Sequence, residues 1–141
     1  MLYLIIINTI IFLFLSCLHF YWAAGGKHWF YNSLPQKEST NAYLFIPGKF
    51  SCIVVATGLF IFALITIGNL GIFDNYINKK FIYYGNWIIT IIFFLRGLGD
   101  FRYAGFFKKI KTTIFARNDT KYYAPLCISI ATISLIIILF N

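Results

Sequence analysis

Trp87-Ile88-Ile89-Thr90-Ile91-Ile92-Phe93-Phe94-Leu95-Arg96-Gly97-Leu98-Gly99-Asp100-Phe101-Arg102-Tyr103-Ala104-Gly105-Phe106-Phe107-Lys108-Lys109 is an uncharged apolar run that ends in two arginines and an aspartate. The run reads as part of a membrane-crossing helix, and the charges stand at its end. On insertion scales a central Arg or Asp costs roughly 2.5–3.5 kcal/mol, and intramembrane charges are usually paired or functional. This stretch therefore sets both the class of the chain and its first candidate site.

The rest of the composition agrees. Hydrophobic residues make up 60% of the 141 positions and charged residues 11%, with a mean hydropathy of +0.79. Soluble domains lie nearer half apolar and a quarter charged. The formal charge is +8. The basic residues fall between apolar runs, and no nucleic-acid motif accompanies them, so the positive-inside bias explains them better than a nucleic-acid partner does.

Apolar runs place four crossings at about residues 2–24, 50–72, 82–103 and 123–140 of a single integral membrane domain, each near the roughly 20 residues a spanning helix needs. The start, Met1-Leu2-Tyr3, lacks the basic residues of a cleaved signal peptide, so the first run is expected to be retained. Gly25-Gly26 ends the first run, and Pro125 fits the first turn of the last. The expected fold is all-α, a four-helix transmembrane bundle. Counting from Arg102, loops one and three hold nine Lys/Arg (27, 37, 49, 102, 108, 109, 111, 117, 121) and loop two holds two. The positive-inside rule then makes loops one and three cytoplasmic and puts both termini outside.

That topology gathers the unusual side chains at one end of the bundle. His19 and Trp22 are three residues apart and share a helix face. Arg96, Asp100 and Tyr103 recur at i, i+4 and i+7, so an intrahelical Arg96–Asp100 pair is expected, with Arg102 pointing elsewhere toward lipid phosphate or Asp119. His19 and Asp100 are the candidate catalytic groups, because His titrates near neutral pH. Trp22, Arg96, Arg102, Tyr103, Arg117 and Asp119 are the candidate ligand-binding residues. Asp119 or Asn118 is also suited to cap or bend the entry to the last crossing. Lys108-Lys109-Ile110-Lys111 reads as a topology signal, or as an attraction for anionic headgroups. Cys17, Cys52 and Cys127 lie inside apolar runs at no metal or disulfide spacing, and His28 joins no ligand cluster, so neither metal nor cofactor is expected.

Three ordered stretches carry a family resemblance: His19-Phe20-Tyr21-Trp22-Ala23-Ala24-Gly25-Gly26, Arg96 through Lys108, and Phe115-Ala116-Arg117-Asn118-Asp119-Thr120 with Tyr123-Ala124-Pro125-Leu126-Cys127. The chain resembles the small membrane proteins grouped as domain of unknown function 3995. The resemblance implies a four-helix protein of a bacterial inner (plasma) membrane, and it supplies no activity. The residues themselves point to a site that binds or modifies an anionic amphiphile such as a phospholipid or isoprenoid phosphate. The competing readings are an accessory subunit of a membrane complex, and an oligomeric proton-coupled transporter. The expected partners are the lipid bilayer with its anionic headgroups, and a homo-oligomer or a membrane partner.

Overall fold

Backbone polar groups cannot be left open in hydrocarbon, so an apolar chain of this length folds as helices that satisfy their own hydrogen bonds. The computed structural model describes residues 1–141. It contains α1 (Leu2–Ala23), α2 (Lys49–Gly68), α3 (Lys79–Leu98), the short α4 (Ile114–Asn118), a π turn (Asp119–Tyr123) and α5 (Ala124–Phe140). There are no strands, only an isolated antiparallel bridge between Gln36 and Tyr43 in the first loop. Four helical segments are long and apolar enough to cross a membrane, α4 to α5 counting as one. The protein is a multi-pass membrane protein.

Two helix pairs, α1 with α2 and α3 with α5, pack closely and then meet each other. Their shared core is Phe12, Leu59, Ala63, Ile89, Phe93, Cys127, Ile130 and Ala131. Phe12, Phe62 and Phe93 interlock edge to face, with centroids 5.4–6.2 Å apart. Large apolar side chains such as Phe14, Val54, Ile61 and Phe94 stay exposed around the outside, the face a bilayer covers. Most hydroxyls within the helices are satisfied locally: Thr9, Thr66, Thr90 and Thr132 each donate to the carbonyl four residues back. Ser16 instead donates across to the Ala56 carbonyl at 2.7 Å, and Asn8 donates to Ser134 at 3.0 Å.

The end of α2 distant from Arg96 is closed by amides. Asn69 donates to the Ile65 and Thr66 carbonyls and accepts from Asn86, which also donates to Ile82 O; Asn141 donates to Asn69 O.

Three of the four spans have boundaries that differ from the sequence expectation, and α2 ends at Gly68 where 72 is expected. The third helix runs 79–98 where 82–103 is expected, and it stops because the chain reverses at Gly99 (φ +91). Gly105 (φ +84) lies against Gly99 so closely that a Cβ on either residue would strike the other strand's backbone. The fourth spanning segment starts at Ile114, ahead of the expected 123, because Thr113 caps it by accepting from Ala116 N at 3.1 Å.

Candidate functional site

The reversal after α3 explains what the glycines and Asp100 do. One carboxylate oxygen of Asp100 accepts from three successive backbone N–H groups, Arg102 (3.0 Å), Tyr103 (2.7 Å) and Ala104 (3.0 Å). The following amides turn back to the helix end, Phe106 N to Gly97 O and Phe107 N to Leu98 O. Partial burial alone would raise the Asp100 pKa. The N–H groups of Ala104, Tyr103 and Arg102, with the positive charge of Arg96, outweigh it and hold the carboxyl below its ordinary value. Asp100 is thus a turn-former. The expected i, i+4 pair with Arg96 does not form, because the helix ends before Asp100 is reached.

Arg96 pairs instead with Asp119, Nη2 to Oδ1 at 2.8 Å. Asp119 opens the π turn and is fully buried. Its other oxygen accepts from Gly105 N and from Lys108 Nζ (3.1 Å), and that lysine also donates to Gly105 O and Thr120 Oγ1. The Lys108 side chain is 1% exposed. One carboxylate thus neutralises one of two cations, and the Arg96–Asp119–Lys108 group keeps a formal surplus of one positive charge. Buried Arg96 Nη1 has no hydrogen-bond partner.

Arg96 forms part of the wall of a cavity of about 410 Å³ between the two helix pairs. α1 contributes Leu15, Leu18, His19 and Trp22, α2 contributes Ser51, Cys52 and Val55, and the first loop folds over it with Phe30, Ser33, Leu34, Phe45 and Pro47. Phe115 and Tyr123 close the side toward α5. The Tyr123 hydroxyl and Ser33 Oγ share a hydrogen bond of 3.2 Å, and Thr112 donates to Glu38, so loops one and three are joined at this end. Phe45 and Val55 are exposed, which leaves an apolar mouth.

His19 Nδ1 lies 2.8 Å from Leu15 O. A carbonyl only accepts, so Nδ1 carries the hydrogen. The His19 ring lies against Trp22 with centroids 4.8 Å apart, and Trp22 Nε1 donates to His28 O at 2.8 Å. The indole N–H is therefore already used, and Trp22 offers the cavity its ring alone.

The expected site residues divide into groups. His19, Trp22 and Arg96 share the cavity, with Asp119 directly behind Arg96. Arg102 and Tyr103 do not join them. The Arg102 guanidinium lies 5.2 Å over the Tyr103 ring, in a separate surface hollow with Lys37, Glu38, Ser39 and Ile110. Arg117 is exposed at the end of α4. Asp119 does not cap a helix, since its oxygens go to Arg96, Lys108 and Gly105. The sequence reading missed Lys108 as the buried partner of Asp119, and it missed Ser33 as a cavity group. Nothing in Lys108-Lys109-Ile110-Lys111 separates the first lysine from the others until the turn is built.

A model of the family described as protein of unknown function (DUF3995) matches residues 12–134, a span that includes the whole of this site. The chain belongs to that family. No curated protein and no solved structure matches it.

Proposed function

We propose that this DUF3995 protein binds an anionic amphiphile in the cavity between its helix pairs. One observation carries the reading: Arg96, whose Nη1 has no partner within the chain, lines a mostly apolar cavity with its partly exposed side chain, in a charge group with one positive charge in excess. A surplus positive charge beside an apolar cavity favours a counter-charge, and an anion held against the Arg96 guanidinium supplies it. The volume of about 410 Å³ lies within the ~300–1,000 Å³ of small-molecule sites. It accommodates a head group and the first part of a chain, with the remainder leaving past Phe45 and Val55 into lipid.

In this reading Arg96 holds the anion and Asp119 orients Arg96, in place of the Asp100 partner that the helical spacing predicts. Trp22 and Phe30 form the apolar wall. His19 Nε2 is the group available for proton exchange, and acid–base chemistry there requires a reacting atom within hydrogen-bond reach. The excess of Lys and Arg in loops one and three supports a cytoplasmic orientation of this end in a bacterial plasma membrane.

Native mass spectrometry of the protein released from its own membrane, beside Arg96→Ala, tests the proposal. Arg96→Ala leaves the Lys108–Asp119 pair in place, so folding is expected to persist. A discrete bound small molecule that the variant loses supports the reading. The same non-selective lipid in both samples, or a protein partner with no such ligand, overturns it in favour of an accessory subunit.

A further inference from the structure

Beside Ser51, whose hydroxyl can both donate and accept, two free polar groups of the cavity differ in kind, and the difference narrows the head group. Arg96 Nη1 is a cationic donor with no partner. His19 spends its Nδ1–H on the Leu15 carbonyl, so the Nε2 of the neutral ring is an acceptor, and it makes no hydrogen bond within the chain. Trp22, the ring packed against it, cannot donate to it because its N–H is held by His28 O. Ser33 Oγ donates to the Trp29 carbonyl and accepts from the Tyr123 hydroxyl. A ligand that satisfies both free groups must bring a negative oxygen for Arg96 and an O–H for His19 on one small group.

Resting on the amphiphile reading above, we infer that the cavity is built for a phosphomonoester head group, as opposed to a phosphodiester or a carboxylate. A phosphomonoester titrates near neutrality, with a second pKa of about 6, so P–O⁻ and P–O–H coexist on one phosphorus. Whether the proton rests on the phosphate oxygen or on Nε2, it lies between the two, and the same hydrogen bond results. A phosphodiester anion has only acceptors to offer, and it sets a lone pair against a lone pair at neutral His19. A carboxylate has the charge without the hydrogen, and a carboxylic acid has the hydrogen without the charge. The surroundings favour a single substituent as well. Behind Arg96 the site is sealed by buried Asp119, Lys108 and Gly105, so the one ester chain runs the other way, along Leu18, Phe30 and Phe45.

The full chain in phosphatidylcholine nanodiscs, doped with a minor fraction of either phosphatidic acid or its donor-free diester phosphatidylmethanol, provides the test, with retained lipid read by native mass spectrometry. Wild type should retain the monoester about tenfold or more over the diester, the scale of one hydrogen bond to a charged group. Arg96→Gln should lose both lipids. His19→Phe should lose the preference, and His19→Gln, which keeps an acceptor, should retain part of it. Equal retention by wild type overturns the monoester assignment and leaves the amphiphile reading standing, whereas retention of neither lipid overturns that reading itself. A preference that survives in His19→Phe comes from charge alone and overturns the inference, as does His19→Gln behaving like His19→Phe. Inorganic phosphate bound in undoped nanodiscs, and lost in Arg96→Gln, would assign the site to free phosphate and overturn the amphiphile source.

Discussion

Asp119 is the most consequential single side chain in the molecule. It is fully buried and is shared between two cations, one of them nearly as buried as itself. Removing one partner of a buried pair strands the other charge and costs about 3–5 kcal/mol. Asp119→Asn should therefore lower unfolding stability in detergent by that order, measured by denaturant titration. Lys108→Met/Asp119→Asn should recover only the share of the loss that belongs to Lys108, since Arg96 still lacks its carboxylate. Asp100 behaves differently, because its partners are backbone amides and it stands near the surface. Its folded pKa lies below the ordinary carboxylate value. A depressed carboxyl stabilises above its unfolded pKa and loses that contribution as pH falls through the folded value. Protection of the Arg102, Tyr103 and Ala104 amides, corrected for intrinsic exchange, should accordingly hold at neutral pH and decline in acid below the usual aspartate range. Asp100→Asn should abolish that acid dependence. These two aspartates mark the limit of reading residues by spacing. The i, i+4 interval from Arg96 to Asp100 is a valid helical pairing rule applied beyond a helix end, and the true partner lies 23 positions away in the chain, across a turn.

At the scale of elements, Gly99 and Gly105 decide where α3 stops. Both have positive φ, and each would carry a Cβ into the backbone of the other. Gly105→Ala should cost about 1–3 kcal/mol, read as a fall in Tm, since strained backbone of this kind carries that penalty per residue. It should also reduce the Lys108–Asp119 contact, because Gly105 N and O bond to both. The four spans were legible from apolar run length, and the His19–Trp22 pair from its interval of three. The end of α3 was not, because Phe101 and Tyr103 continue the apolar character past the glycines. Nor was the early start at Ile114, where the signal is Thr113 followed by one turn of helix and a π turn, a local irregularity without hydrophobic periodicity. The Asn8–Ser134 bond between α1 and α5 is a milder element-level link. Asn8→Leu should change stability by only about 0.6 kcal/mol, the average for such bonds in membranes.

At the scale of the whole molecule, the joining of loops one and three over the cavity fixes which end carries the site, and the basic loops propose which side of the membrane that end faces. A reporter fused at Ile110 should read cytoplasmic and one at Asn75 should read non-cytoplasmic; the reverse pattern would invert the orientation. Along each helix the interlocked Phe12, Phe62 and Phe93 fall between two polar regions. Phe12 separates Asn8 from Leu15, Phe62 separates Val55 from Gly68, and Phe93 separates Asn86 from Arg96. The three rings form a dry septum. A molecule that enters past Phe45 therefore meets a dead end, and must leave by the leaflet from which it came. On the amphiphile reading, the protein is sided: it samples the lipids of one monolayer and is blind to those of the other.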